Sequence, residues 1–252
     1  MPEHVSADIV FCIDASGSMK PCIDAVRENI DQLLRGITDA SQCNWDVRFD
    51  FLAFHHSNDG RHWYRSVKNN AFEIFMGLYH DETGERKASF FTRDTVEFCK
   101  SMDNNIVIEG EEQQLFALDT AMDFPWRCAP ECRRVVVLLT DEPIETGCFV
   151  AEQLEKLSLL IDKANRKRIK LFIIAPESQA LYTLAVADRC EYMPYDGEQD
   201  GLRNINFTAL LKLIGGSITK SRGNESADAT PIPSYDQLSY GAANNDSAFS
   251  GS

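Results

Sequence analysis

The chain has 252 residues, with 25 Lys and Arg against 39 Asp and Glu, for a net charge of −14. That length is enough to bury a sizeable core, and so acidic a surface repels phosphate backbones, which argues against nucleic-acid binding. No apolar stretch approaches the roughly 18 residues needed to span a bilayer, so no membrane segment is expected.

The opening MPEHVSAD is acidic and polar and does not read as a secretory signal. DIVFCI (8–13) is rich in β-branched and aromatic residues and predicts a buried strand. In PCIDAVRENIDQLLRGI (21–37), Ile23, Val26, Ile30, Leu33, Leu34 and Ile37 recur at helical spacing, and Pro21 suits a first helical turn. WDVRFDFLAF (45–54) alternates polar and apolar residues and predicts a strand, with WYRSV (63–67) as a short antiparallel partner. FHHSNDG (54–60) reads as a surface loop, because adjacent histidines such as His55 and His56 diverge in an extended chain and make a poor metal pair. DETGER lies between two β-prone runs, so 72–92 predicts a hairpin.

Helices are expected over 93–102 and 111–122, and RRVVVLLT (133–140) is the clearest buried strand. Trp126, in the DFPWRCAPE segment between them, is expected in the core. A single amphipathic helix is expected over 149–167, then a strand over 169–175, a helix over 178–187, an edge strand over 190–195 and a last helix over 206–221. The densest basic run, KANRKRIK (163–170), reads as the solvated carboxyl end of a helix.

This alternation predicts an α/β fold. Its core is a doubly wound, mostly parallel sheet of about six strands with one antiparallel edge, and helices cover both faces. Ligands in such sheets bind at the carboxyl ends of the strands. Residues 1–221 are expected to form this one domain, with a hairpin insertion at about 68–92. The stretch 222–252 is rich in Ser, Ala, Asn and Gly and reads as a flexible tail, with PIPSYDQLSY as its best docking segment. The eight cysteines contain no CxxC pair, which suggests reduced thiols and a cytoplasmic protein. Cys128, Cys132 and Cys148 match no common zinc spacing.

Two predicted strand ends present oxygen-rich loops, DASGSM (14–19) and TDEP (140–143). Asp14, Ser16 and Ser18 alternate, so in an extended turn they can converge, and Gly17 lets the backbone turn between the serines. Oxygen-only donors select Mg²⁺, Mn²⁺ or Ca²⁺ over zinc. Read blandly, the same residues are a polar turn with Ser18 as a helix N-cap, and Asp141 is a helix-start acid. No GxSxG elbow and no GxxxxGK[ST] loop occurs.

DIVFCIDASGSM followed by an amphipathic helix resembles the opening of a von Willebrand factor type A domain, the fold also called the integrin I domain, over roughly residues 6–220. DASGS matches that family's DxSxS metal motif, and VVVLLTDEP resembles its later strand and TDxP loop, which implies Asp14, Ser16, Ser18 and Asp141 as metal ligands. Many members place a threonine in a Gly-Gly-Thr loop before the fourth helix. Here the equivalent IEGEEQQLFAL (108–118) has Gly110, Glu111 and Glu112 and no threonine. Glu111 is the best match for the loop ligand and Glu112 the alternative. Read blandly, Glu111 is a solvated first-turn acid stabilised by the helix dipole. A carboxylate there would make the metal less electrophilic towards an acidic partner and would favour Ca²⁺.

The resemblance implies a cation-dependent protein-binding module rather than an enzyme, completing the metal shell with an Asp or Glu of a partner. Lys20, Glu112 and Glu142 flank the site loops and are expected to face that partner. Stand-alone soluble bacterial members often work beside an ATPase or a kinase and phosphatase pair, including in stress-response clusters. The competing readings are a scaffold with a vestigial metal site, binding through its hairpin or tail, and a metal-dependent phosphohydrolase.

Overall fold

β1 (His4–Asp14) runs through the middle of a six-stranded sheet completed by β2 (Asn44–His56), β3 (His62–Arg65), β4 (Cys132–Leu139), β5 (Ile169–Pro176) and β6 (Cys190–Tyr195). The computed structural model describes residues 4–39, 44–56, 62–68, 90–105, 113–128, 132–195, 202 and 205–220. The strand order is β3-β2-β1-β4-β5-β6. Only β3 is antiparallel to its neighbour, at the edge beside β2. The expected α/β class, the parallel sheet and the single antiparallel edge are all present.

Side chains of β1 alternate between two cores. Ala7, Ile9, Phe11 and Ile13 enter one, and Val10 and Cys12 the other. β4 divides the same way, with Val135, Val137 and Leu139 against Val136 and Leu138. A strand buried on both faces needs an unbroken apolar run, and both sequences supply one. The first core lies under α1 (Lys20–Asp39), α2 (Thr95–Asn105) and α7 (Phe207–Lys220). The second lies under α3 (Gln114–Met122), α5 (Leu157–Lys167) and α6 (Gln179–Leu184). Phe98 of α2 meets Phe11, Phe49 and Phe51 at ring-centroid distances of 5.9, 6.0 and 5.9 Å, inside the range where aromatic pairs attract.

α1 and α7 approach backbone to backbone. A Cβ on Gly36 would stand 2.1 Å from the Lys212 carbonyl oxygen, and one on Gly215 would stand 2.3 Å from that of Leu33. Gly216, next along α7, has nothing within 4 Å of the same position.

The helix expected over 149–167 is two helices, α4 (Val150–Glu155) and α5. The break at Lys156 has a tertiary cause. Gln153 is fully buried, accepts from the Leu115 amide at 2.8 Å and donates to the Cys148 carbonyl at 2.6 Å. Lys156 reaches Asp119 on α3 at 2.9 Å. The Lys156 amide bonds to the Gln153 carbonyl, a tight i to i−3 turn that ends α4.

Two further expectations are corrected. His55 and His56 are not in a surface loop: they end β2, paired with Trp63 and His62, and His55 is buried. The basic run at 163–170 is not merely solvated. Lys163 and Lys167 grip the carboxyl end of α3, Lys163 bridging Asp119 and Asp123 and Lys167 meeting Asp123 at 2.6 Å. Trp126 is buried as expected and donates to the Met122 carbonyl at 3.0 Å. The predicted hairpin, apart from its last residues from Phe90, and the tail lie outside the described residues. Among those residues, no helix is long and apolar enough to cross a membrane.

Asp50 sits fully buried in β2 and accepts three backbone amides: Phe51 and Val67 on Oδ1 and Phe91 on Oδ2, each at 2.9 Å. Burial pushes its carboxyl up to about 7, against the pull of those amides and of Lys68. A raised folded-state pKa means that its contribution to stability is fully present below the unfolded value of 3.8 and is lost as pH rises through about 7. The stability of the native chain relative to Asp50→Asn is therefore expected to fall between pH 4 and pH 8 in urea titrations. A constant difference across that range would show that Asp50 stays ionised in the fold.

Candidate metal centre

The sheet changes direction of winding between β1 and β4, and the carboxyl ends of these two strands open the crevice where α/β sheets bind ligands. β1 delivers Asp14 there. The ladder continues one residue further, with the Ala15 amide bonding to the Phe54 carbonyl at 2.9 Å, so Asp14 is held by sheet on one side. Its carboxyl is fully buried and accepts from the Ser16 amide at 2.8 Å and from the Thr140 hydroxyl at 3.0 Å.

The chain then makes a short 3₁₀ turn, Gly17–Met19, before α1. Ser16 occupies the capping position without capping through its side chain. Instead its hydroxyl lies 3.1 Å from that of Ser18. Of the three expected ligands, Ser16 and Ser18 bring their hydroxyls together, and Asp14 is tied to Ser16 through its backbone amide. Asp141 follows β4, two residues ahead of the Pro143 cap of a 3₁₀ turn, and so does not start an α-helix. Its Oδ1 is buried and has no hydrogen-bond partner.

Burial pushes the Asp14 carboxyl up to about 7. The Ser16 amide pulls it down, and the charge of Asp141 pushes it further up. The neighbouring charge of Asp141 thus opposes ionisation of Asp14, the condition that a divalent cation reverses. Burial and then the charge of Asp14 push the Cys12 thiol up, and burial and then the charges of Asp141 and Asp14 push up that of Cys22, so both stay protonated and offer no thiolate. What remains is a set of oxygen donors.

These residues fit a hard divalent cation. The charge of Asp141 acts on the Asp14 carboxyl, the Ser16 and Ser18 hydroxyls meet in the turn that follows Asp14, and one buried acceptor, Asp141 Oδ1, lacks a donor. An unsatisfied buried polar atom costs about 1–3 kcal/mol unless something fills the role. Among the described residues there is no group of three or more His, Cys, Asp or Glu that could hold a metal, which also disposes of a zinc site at Cys128, Cys132 and Cys148. A centre built from two carboxylates and neutral oxygens is of another kind.

Glu111 and Glu112 lie outside the described residues. Lys20 is exposed and pairs with Asp24 at 2.9 Å. Glu142 is partly buried, and its carbonyl accepts from the Gln114 side chain at 3.2 Å.

Sequence reasoning passed over Thr140, Gln113 and Gln114, all fully buried. Thr140 orients Asp14, and its carbonyl accepts from the Tyr195 hydroxyl at 2.9 Å. Gln113 donates to the His55 carbonyl at 2.9 Å, tying α3 to the end of β2. A signal was available. Gln114 shares the i, i+3, i+4, i+7 stripe with Ala117, Leu118 and Ala121, where a polar side chain needs a reason.

No family model matches the sequence, and no curated protein matches it. Solved structures do. A von Willebrand factor type A protein from Catenulispora acidiphila aligns with a TM-score of 0.51 at 13% identity, over 85% of this chain and 43% of its own. The pilus adhesin SpaC from Lactobacillus rhamnosus GG aligns with a TM-score of 0.53 at 14% identity, over 86% of this chain and 31% of its own. The chain has a von Willebrand factor A-like fold. Proximal thread matrix protein 1 from the mussel byssus, with a zinc-occupied MIDAS motif, aligns at a TM-score of 0.45 and 14% identity, over 84% of this chain and 45% of its own. The von Willebrand factor A-like chain thus spans less than half the length of these solved chains. At such identities the likeness establishes the fold alone.

Proposed function

We propose that this chain is a divalent-cation-dependent protein-binding module, an adaptor or regulatory subunit rather than an enzyme. The observation that carries the reading is the buried, unpaired Oδ1 of Asp141 beside the buried carboxyl of Asp14 and the paired hydroxyls of Ser16 and Ser18. Asp14, Ser16, Ser18 and Asp141 would hold Mg²⁺, or Mn²⁺ or Ca²⁺ in its place. Once bound, the cation supplies a coordination position for a carboxylate of the partner. Thr140 and Tyr195 keep the Asp141 loop in register with Asp14. Lys20, the basic residue of the described site loops, is drawn to Asp24, so it does not clamp a phosphoryl group, which favours binding over phosphoester hydrolysis. An ATPase, or a kinase and phosphatase pair, encoded nearby is the partner class proposed.

The test is affinity capture from the native host in Mg²⁺ and in excess chelator, with the native chain and with Asp14→Ala/Ser16→Ala as baits. The native chain is expected to retain an acidic partner only in Mg²⁺. The double variant should lose on the order of tenfold or more of that capture while keeping its circular dichroism. Capture that survives chelator would instead support a scaffold whose metal site is vestigial.

A further inference from the structure

We propose that the arginines at the amino ends of β4, β5 and β6 receive the acidic segment NESAD (224–228) of this same chain, which follows α7 closely in sequence. The surface lies at the end of the sheet opposite the Asp14 crevice and does not depend on the cation-binding reading.

Arg133 is the second residue of β4, Arg168 directly precedes β5 and Arg189 directly precedes β6. These three strands are neighbours in the sheet. Arg134 pairs with Ile169, which sets Arg133 level with Arg168. Leu171 pairs with Cys190, and its amide bonds to the Arg189 carbonyl at 2.8 Å. Three guanidinium groups are thus brought to one end of the sheet by strand register alone.

Arg133 is half-buried, and like charges press on it. Burial, then the charges of Arg189 and Arg168, hold its guanidinium below the usual arginine value. The Cys132 thiol pulls the other way, but burial and the charge of Asp8 keep that thiol protonated. Among the described residues, neither Arg133 nor Arg189 has a carboxylate partner. Other cations at this end do. Arg48 and Arg127 share Asp8, Lys167 meets Asp123, and Lys170 meets Glu191 at 2.5 Å. In a chain with 39 acids against 25 bases, arginines gathered on one another without a carboxylate call for an anion.

The exit of α7 supplies one. Ser217, in its last turn, lies 2.8 Å from Lys170 Nζ and 3.0 Å from Glu191, so the helix ends over the starts of β5 and β6. The stretch 221–252 then carries four acids, Glu225, Asp228, Asp236 and Asp246, against one base, Arg222. Glu225 and Asp228 are the first two, five and eight residues beyond Lys220. Extended chain of that length reaches about 17 and 27 Å, while neighbouring strands stand about 4.8 Å apart. Two carboxylates therefore come within reach of two guanidinium groups, whose planar forks suit them.

Trypsin tests this on the full chain, because Arg222 adjoins the segment. Arg133→Ala/Arg189→Ala is expected to speed cleavage after Arg222 about fivefold, and Glu225→Gln/Asp228→Asn by the same factor. The four changes together are expected to do no more than either pair, the mark of groups that act on each other. Salt at about 0.5 M is expected to speed cleavage of the native chain relative to the quadruple variant. Should the alanine variant fail to fold, Arg133→Lys/Arg189→Lys keeps the charge and adds an amine for carbodiimide. Mass spectrometry is then expected to find position 133 or 189 joined to Glu225 or Asp228 at monomer mass. The inference falls if either pair of changes leaves the cleavage rate unaltered, or if the two effects add. It falls equally if those cross-links are absent or form only at dimer mass, which would assign the arginines to a second copy.

Discussion

Gly215→Ala is expected to lower stability by about 3 kcal/mol, while Gly216→Ala, one residue further on, is expected to raise it by roughly 0.5–1 kcal/mol. Both glycines lie within α7, where alanine has the better intrinsic propensity. Only their surroundings differ. A Cβ at 215 would stand 2.3 Å from the Leu33 carbonyl oxygen and 2.9 Å from the Ile37 amide, and neither is a side chain that can swing away. α1 and α7 would have to separate, loosening Leu33, Ile37, Leu211, Ile214 and Ile218 in the core beneath them. Gly36→Ala meets the Lys212 carbonyl at 2.1 Å and should cost as much. Urea unfolding midpoints of the three single variants decide the matter. Equal midpoints for the 215 and 216 variants would show that the helices are not in backbone contact.

Asp8→Ala is expected to cost about 3–5 kcal/mol, the range for removing one partner of a buried ion pair. Asp8 is fully buried and accepts two bonds from Arg48, at 2.8 and 2.7 Å, and two from Arg127, its side chain and its amide, each at 2.8 Å. Arg127 continues to Asp46 at 2.6 Å, and Asp46 takes Arg93 in two bonds at 2.7 and 2.8 Å. Deleting Asp8 takes the carboxylate from Arg48, only 16% exposed, and leaves Arg127, 22% exposed, with Asp46 as its remaining carboxylate. Burial raises the Asp8 pKa, but its bonds to Arg48 and Arg127 outweigh that, and the net shift is downward. Its contribution is therefore present above the unfolded value of 3.8 and is lost as pH falls below it. Denaturant titrations at pH 7 and pH 3 should show a large difference between Asp8→Ala and the native chain at pH 7 and a smaller one at pH 3. A difference that does not shrink would mean that packing, not charge, holds this end of the sheet.

The sheet was legible in the sequence because burial on two faces leaves a mark. DIVFCI, RRVVVLLT and IKLFIIA are apolar runs too short for helices, and each is a central strand. The meeting of the Ser16 and Ser18 hydroxyls was legible because alternation along a turn is local geometry. Long-range contacts left no such mark. Nothing near Asp8 in the sequence announces Arg48 or Arg127, which lie 40 and 119 positions away. The break at Lys156 was hidden because local propensity favours one helix, and only the burial of Gln153 against Leu115 ends it. His55 was misjudged because a polar residue at a strand end resembles a loop until β3 is paired beside it. The glycines of α1 and α7 were readable as exceptions within helices, but which of Gly215 and Gly216 is crowded depends on the rotation of α7 against α1.

The amides of Val67 and Phe91 end on the two oxygens of one side chain, so Asp50 fastens two points of the chain, 17 and 41 positions away from it, to β2 at once. Each point has a second tie: the Ser101 hydroxyl donates to the Val67 carbonyl at 2.7 Å, and the Phe90 ring stands 5.0 Å from that of Phe124. Asp50 is in that sense a clasp, one buried side chain that closes two crossings of the chain against the sheet.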